Sequence, residues 1–120
     1  MPARPGTGFL HESKAVRLEI VRTSQVLSVP TQGHITLGRA DSAEGWQPTI
    51  DLTPYGAREL GVSRIHADLY FENDQAFVLE MGSSNGTLLN GVRCVIGEAQ
   101  RLHNGDTIEL GGLALRVFFN

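Results

Sequence analysis

Lysine, cysteine and long apolar runs are nearly missing from this sequence. Cys94 is the one cysteine, which excludes an intrachain disulfide and gives no sign of an oxidising compartment. No apolar run approaches the ~20 residues of a bilayer span, and the opening stretch "MPARPGTGFL" has no secretory hydrophobic segment. The expectation is a cytoplasmic location without a membrane span. A basic face, which backbone-driven nucleic-acid binding demands, is not expected either, because the formal net charge is -3. Lys14 is the one lysine among the ten basic residues. The arginines that make up the rest suit bidentate contact with phosphate or carboxylate, although a biased genome gives the same composition. Catalytic signatures are missing too. There is no Gly-x-x-x-x-Gly-Lys-Ser/Thr loop. Cys94 and the four histidines lack zinc-ligand spacing. Ser63 and His66 have no evident acidic partner to complete a nucleophile and base pair. An enzyme, a metal and a cofactor are therefore not expected.

What is present is an ordinary globular composition, 41% hydrophobic and 19% charged over 120 residues, enough for one domain that buries roughly two thirds of its unfolded surface. Residues 1–14 carry prolines and glycines without periodicity and read as a mobile arm, leaving residues 15–120 as the domain. A threonine at position 7 of that arm, if phosphorylated, offers a route to self-assembly. "AVRLEIVR" alternates with Val16, Leu18 and Ile20 on one face, as a half-buried strand does. "VLSV", "HITLG" and "IDL" add short strands. "IHADLYF", with Ile65, Ala67, Leu69 and Phe71 on one side, pairs with "AFVLEM" across Asn73-Asp74 as a hairpin. Further strands are expected near Thr87 to Leu89, Cys94 to Ile96 and Gln100 to Leu102, then "TIELGG" and "LALRVFF". Half of the 14 glycines fall between Gly82 and Gly112, and turn signals recur every several residues. The fold class read from this is all-β, with many short antiparallel strands in two stacked sheets.

Polar groups gather where strands hand over to loops: Gly38-Arg39, then "SRIHA" from Ser63 to Ala67, then "SSNGT" from Ser83 to Thr87. Two guanidinium groups, three serine hydroxyls, a side-chain amide and glycine-rich backbone N–H groups, with no matching set of carboxylates, are the complement of an anion with several oxygens. A phosphorylated side chain, with a charge of about −1.5 to −2 and three acceptor oxygens, fits. Each residue also has a plain structural reading: Arg39 as a surface arginine, Ser63 as a turn residue, Asn85-Gly86 as hairpin chemistry, His66 as a brace between loops.

These motifs, together with Leu89-Asn90-Gly91, Gly105-Asp106, Ile108 and Leu110-Gly111, resemble in order and spacing the signature of the forkhead-associated (FHA) domain, over about Val16 to Phe119. The resemblance implies a two-sheet antiparallel β-sandwich of the SMAD/FHA type whose loops at one end read phosphothreonine in a partner protein, with threonine preferred over serine. By the resemblance, Arg39 and Ser63 match the main phosphate contacts and Ser84 helps to hold the phosphate. Arg64 approaches the peptide or phosphate, and Asn85 hydrogen-bonds the peptide backbone. His66 braces the binding loops, while Gly38, Gly86, Thr87, Asn90 and Gly91 are structural. The partner implied is a phosphothreonine-containing protein or peptide, marked by a Ser/Thr protein kinase.

One departure from the family pattern is the distance from Arg39 to Ser63, about two dozen residues that include "DLTPYGARELGV". Tyr55, Arg58 and Leu60 of this loop either set sequence preference or partly cover the site. The competing reading is a phosphate-independent interaction or self-association module that uses a sheet face, for which outward-facing Val21 and Phe118 are suited. Arg39 and Ser63, both present, favour phosphopeptide recognition.

Overall fold

Val16, Leu18 and Ile20 are buried while Arg17 is exposed, so the alternation read from the sequence builds strand β1 (Val16–Ile20). The structure is a computed structural model describing residues 15–119; the expected arm, including position 7, lies outside the described residues. The remaining strands are β2 (Gln25–Val29), β3 (His34–Gly38), β4 (Ile50–Asp51), β5 (Ala67–Glu72), β6 (Gln75–Glu80), β7 (Thr87–Leu89), β8 (Val92–Arg93), β9 (Gln100–Leu102), β10 (Thr107–Leu110) and β11 (Leu113–Phe119). Single 3-10 turns at Ser42–Glu44 and Thr53–Tyr55 interrupt the two long connections.

Two sheets result, in the orders β2-β1-β11-β10-β7-β8 and β4-β3-β5-β6-β9. Every pairing described is antiparallel except that of β3 with β4, where Leu37 faces Ile50. The first and last strands lie side by side, with Val16 opposite Phe119. Alternate residues of both sheets meet in one core: Leu18, Ile20, Ile108, Leu115 and Val117 from one, Ile35, Leu37, Leu69 and Val78 from the other. This is the expected all-β sandwich. On the outer face of the five-stranded sheet, His34, Tyr70 and Phe77 stack in a cross-strand row with ring centroids 5.1 and 5.0 Å apart.

Tight turns carry the chain where the sequence marks them. Asn73 and Asp74 adopt φ of 53° and 59° between β5 and β6. Asn90 and Gly91, at 50° and 83°, turn β7 into β8, the paired positive φ that a two-residue hairpin of matching twist needs. Two expectations fail in detail. The strand near Cys94 to Ile96 is instead the shorter β8, after which the Cys94 N–H still donates to Thr87 O at 2.9 Å and turns Cys94 inward. Val95 and Ile96 then leave the sheet edge and are exposed, because an apolar run does not by itself say where pairing stops. Ile65 precedes β5 rather than joining its buried face and is 45% exposed.

The long segment after β4 belongs to the core rather than hanging over it. Leu52, Ala57 and Val62 are buried, with Tyr55 and Leu60 against them. Its end is held by Gly112 N–H donating to Leu60 O at 2.8 Å. A Cβ on Gly111 would stand 2.7 Å from the same carbonyl oxygen.

Leu115 lies between Ile20 of β1 and Ile108 of β10 in register and is fully buried. Leu115→Ala is expected to cost about 2–5 kcal/mol, read as a lower urea midpoint with an unchanged slope.

Candidate functional site

The three polar clusters meet because two buried side chains tie their loops together. His66 is fully buried just before β5. Its Nδ1 accepts from Ser63 N–H at 3.0 Å, and its Nε2 bonds Gly86 O at 2.8 Å. A backbone N–H can only donate and a carbonyl only accept, so these partners require the neutral ring with its proton on Nε2. Burial holds the His66 pKa below its ordinary value, against the opposing effects of the Gly86 bond and the Glu80 charge.

Glu80 ends β6, is 3% exposed, and organises the loop that follows. Its carboxylate accepts from Gly82 N–H at 2.6 Å, Ser83 N–H at 2.8 Å, the Ser83 hydroxyl and the Thr87 hydroxyl at 2.9 Å. Burial pushes its pKa up, but these hydrogen bonds outweigh that and hold it below the ordinary value. Ser83 Oγ also accepts from Gly86 N–H at 2.9 Å, so this hydroxyl is turned into the loop.

The loop ends are stitched one to the next. Ser84 N–H donates to Ser63 Oγ at 3.0 Å, which leaves the Ser63 hydroxyl proton for an outside acceptor. Arg39 donates from Nε to Val62 O at 2.8 Å, fixing the guanidinium while its terminal nitrogens stay available. Asn85 Nδ2 donates to Gly61 O at 2.9 Å. Gly38 lets β3 run against the Ser63-Arg64 backbone, where a Cβ would fall 1.9 Å from Arg64 O.

Arg39, Ser63, Arg64 and Ser84 line one open cleft of about 480 Å³ together with Trp46 and Ile65. Asn85, Gly38, His66, Gly86, Thr87 and Asn90 are not among its lining residues. Thr87 is buried against Glu80, and Asn90 ties the β7–β8 turn to Asp106 and Thr107. Tyr55, Arg58 and Leu60 do not line the cleft either. Three contributors escaped the sequence reading. Trp46 reaches the cleft by donating Nε1–H to Arg64 O at 3.0 Å. Asp41 supplies a carboxylate to Arg64 at 3.1 Å, although the sequence suggested none beside the arginines. Glu80 reads only as the end of a strand. Among the described residues no group of three or more His, Cys, Asp or Glu is placed to hold a metal. What the cleft offers chemically is guanidinium charge and hydroxyl donors together with an indole and an isoleucine.

The family model described as the FHA domain matches residues 35–111 of the chain. The human protein "Angiogenic factor with G patch and FHA domains 1" is 38% identical over 106 residues, 83% of this chain and 14% of that protein. Protein FraH of Nostoc is 29% identical over 110 residues, 92% of this chain and 37% of that protein; the chain thus spans a minor part of either relative. Among solved structures, the N-terminal FHA domain of Saccharomyces cerevisiae Rad53p, in complex with a phosphothreonine peptide, is similar at 20% identity with a TM-score of 0.70, covering 88% of this chain and 94% of that one.

Gly38→Ala places a methyl group inside a backbone carbonyl, so destabilisation at the top of the ~1–3 kcal/mol overpacking range or beyond is expected from chemical denaturation. Acid should act in two stages. The folded His66 pKa lies below 6.5, so the unfolded chain protonates first and stability is lost as pH falls through that value toward the folded pKa. Glu80, held below 4.5, adds a second loss as pH falls through its own lowered range. Melting temperature followed from neutral to acid pH should decline in both windows, and His66→Gln should remove the upper decline. A wild-type profile that stays flat below 6.5 would contradict the neutral-imidazole assignment.

Proposed function

Because the chain belongs to the FHA domain family, we propose that its cleft docks onto a phosphothreonine of a partner protein, as a non-catalytic adaptor in Ser/Thr kinase signalling. The observation that carries this reading is the convergence of Arg39, Ser63, Arg64 and Ser84, from three separate loops, on one open cleft. Further support is that Rad53p, whose domain shares this fold, is solved with a phosphothreonine peptide. The kinase that writes the mark consumes ATP, which agrees with a cytoplasmic setting.

In this reading the terminal nitrogens of Arg39 and the hydroxyls of Ser63 and Ser84 receive the phosphate oxygens. Arg64 changes partner on binding. Its bond to Asp41 joins two partly exposed side chains, a pairing worth about 0–1 kcal/mol, whereas a hydrogen bond to a charged acceptor such as phosphate is worth about 1.5–3 kcal/mol. Asn85, anchored through Nδ2 on Gly61 O, accepts a peptide N–H through Oδ1. His66, Gly86 and Thr87 hold the loops, and Gly38 and Asn90 shape their ends.

Titration with matched phosphorylated and unphosphorylated threonine peptides tests the proposal, and equal binding of the two defeats it. Arg39→Ala is expected to weaken phosphopeptide binding on the order of 10- to 100-fold with the melting temperature little changed. Unaltered affinity in this variant would place the site elsewhere.

A further inference from the structure

The cleft is larger than a phosphoryl group requires. At about 480 Å³ it falls in the range of roughly 300–1,000 Å³ typical of pockets for small organic ligands. Part of its wall is formed by Trp46 and Ile65. Neither carries charge, and neither is explained by holding an anion.

Trp46 is fixed from both ends. Its backbone exchanges two hydrogen bonds of 2.9 Å with Asp41, closing a turn whose 3-10 segment is capped by the Asp41 carboxylate. Its indole N–H, the ring's one donor, is already given to Arg64 O. What the ring presents to the cleft is therefore apolar surface, held in place before any ligand arrives, which lowers the ordering cost of binding. Ile65 adds a β-branched side chain with a stiff first torsion, 45% exposed beside the fully buried His66. When Arg64 turns to the phosphate, the Asp41 carboxylate it leaves stays on this rim, so the wall offers an acidic residue no free cation.

We propose that the Trp46–Ile65 wall is a side-chain subsite selecting a large apolar residue that flanks the phosphothreonine, with Trp46 as its specificity-determining residue; this rests on the phosphopeptide reading and deepens it. The phosphate cluster supplies the requirement for the mark. The wall supplies the choice among marked sequences.

The test is a set of phosphothreonine peptides on an alanine background, with one leucine or one aspartate walked through the positions on either side. At one position leucine should tighten binding to the wild-type domain roughly tenfold over alanine, and aspartate should not. Trp46→Ala and Ile65→Ser should each remove most of that gain while still preferring phosphorylated over unphosphorylated peptide. If Trp46→Ala melts early, Ile65→Ser decides. A leucine gain of the same size in both variants, or phosphopeptide binding with no position that favours leucine, overturns the subsite and leaves the docking function standing. Loss of any phosphate dependence in the wild type removes the docking function and the subsite with it.

Discussion

The neutral imidazole of His66, bonded at one nitrogen to the Ser63 amide and at the other to the Gly86 carbonyl, sets the distance between the two loops that flank the cleft. The ring is rigid and fully buried, so its width becomes the spacing of the loops. Gly86 O also accepts from Gly111 N–H at 3.0 Å, which joins the same point to the β10–β11 turn. An imidazolium would lose its acceptor at Nδ1 and leave the Ser63 amide facing a second donor. Burial disfavours that charge, and the folded state depends on its absence.

A second buried group works by the opposite means. Glu80 stays ionised in the interior because two backbone amides and two hydroxyls surround its carboxylate. Charge-assisted bonds of this kind compensate desolvation where neutral ones do less. His66 thus spaces the loops from one side while Glu80 shapes the 82–87 loop from within. The outward donors of the cleft, chiefly the Ser63 hydroxyl and Arg39, are in place as a consequence. Little of the site needs to order when a ligand arrives, and immobilisation entropy is a main cost of association.

The long connection before Ser63 serves the same end. Instead of covering the cleft it buries Leu52, Ala57 and Val62, then offers three consecutive carbonyls to the surroundings: Leu60 to Gly112, Gly61 to Asn85, and Val62 to Arg39. Extra chain length is used to brace residues of the candidate site. A loop that buries apolar groups and satisfies its backbone in this way is part of the domain's cooperative unit rather than a low-stability flap.

The sequence alone determined most of the strands and the clusters, because both are local. Alternation in Val16, Leu18 and Ile20 follows from the two-residue period of a strand, and Asn73-Asp74 and Asn90-Gly91 mark turns through their tolerance of positive φ. Arg39, Ser63 and Ser84 stood out because their chemistry is written in their side chains and their order matches a family pattern. Only the tertiary structure decided where β8 ends, that Ile65 faces the cleft, that Asp41 meets Arg64, and that Trp46 lies along the wall. The contacts that build the cleft join residues far apart in the chain: Asp41 and Trp46 act on Arg64, and His66 on Gly86. Glu80 reads as one more strand residue until the loop that folds around its carboxylate is seen. Local propensity fixes which elements form, but contacts at long sequence separation exist only once the two sheets have packed, and the cleft is built almost wholly from such contacts.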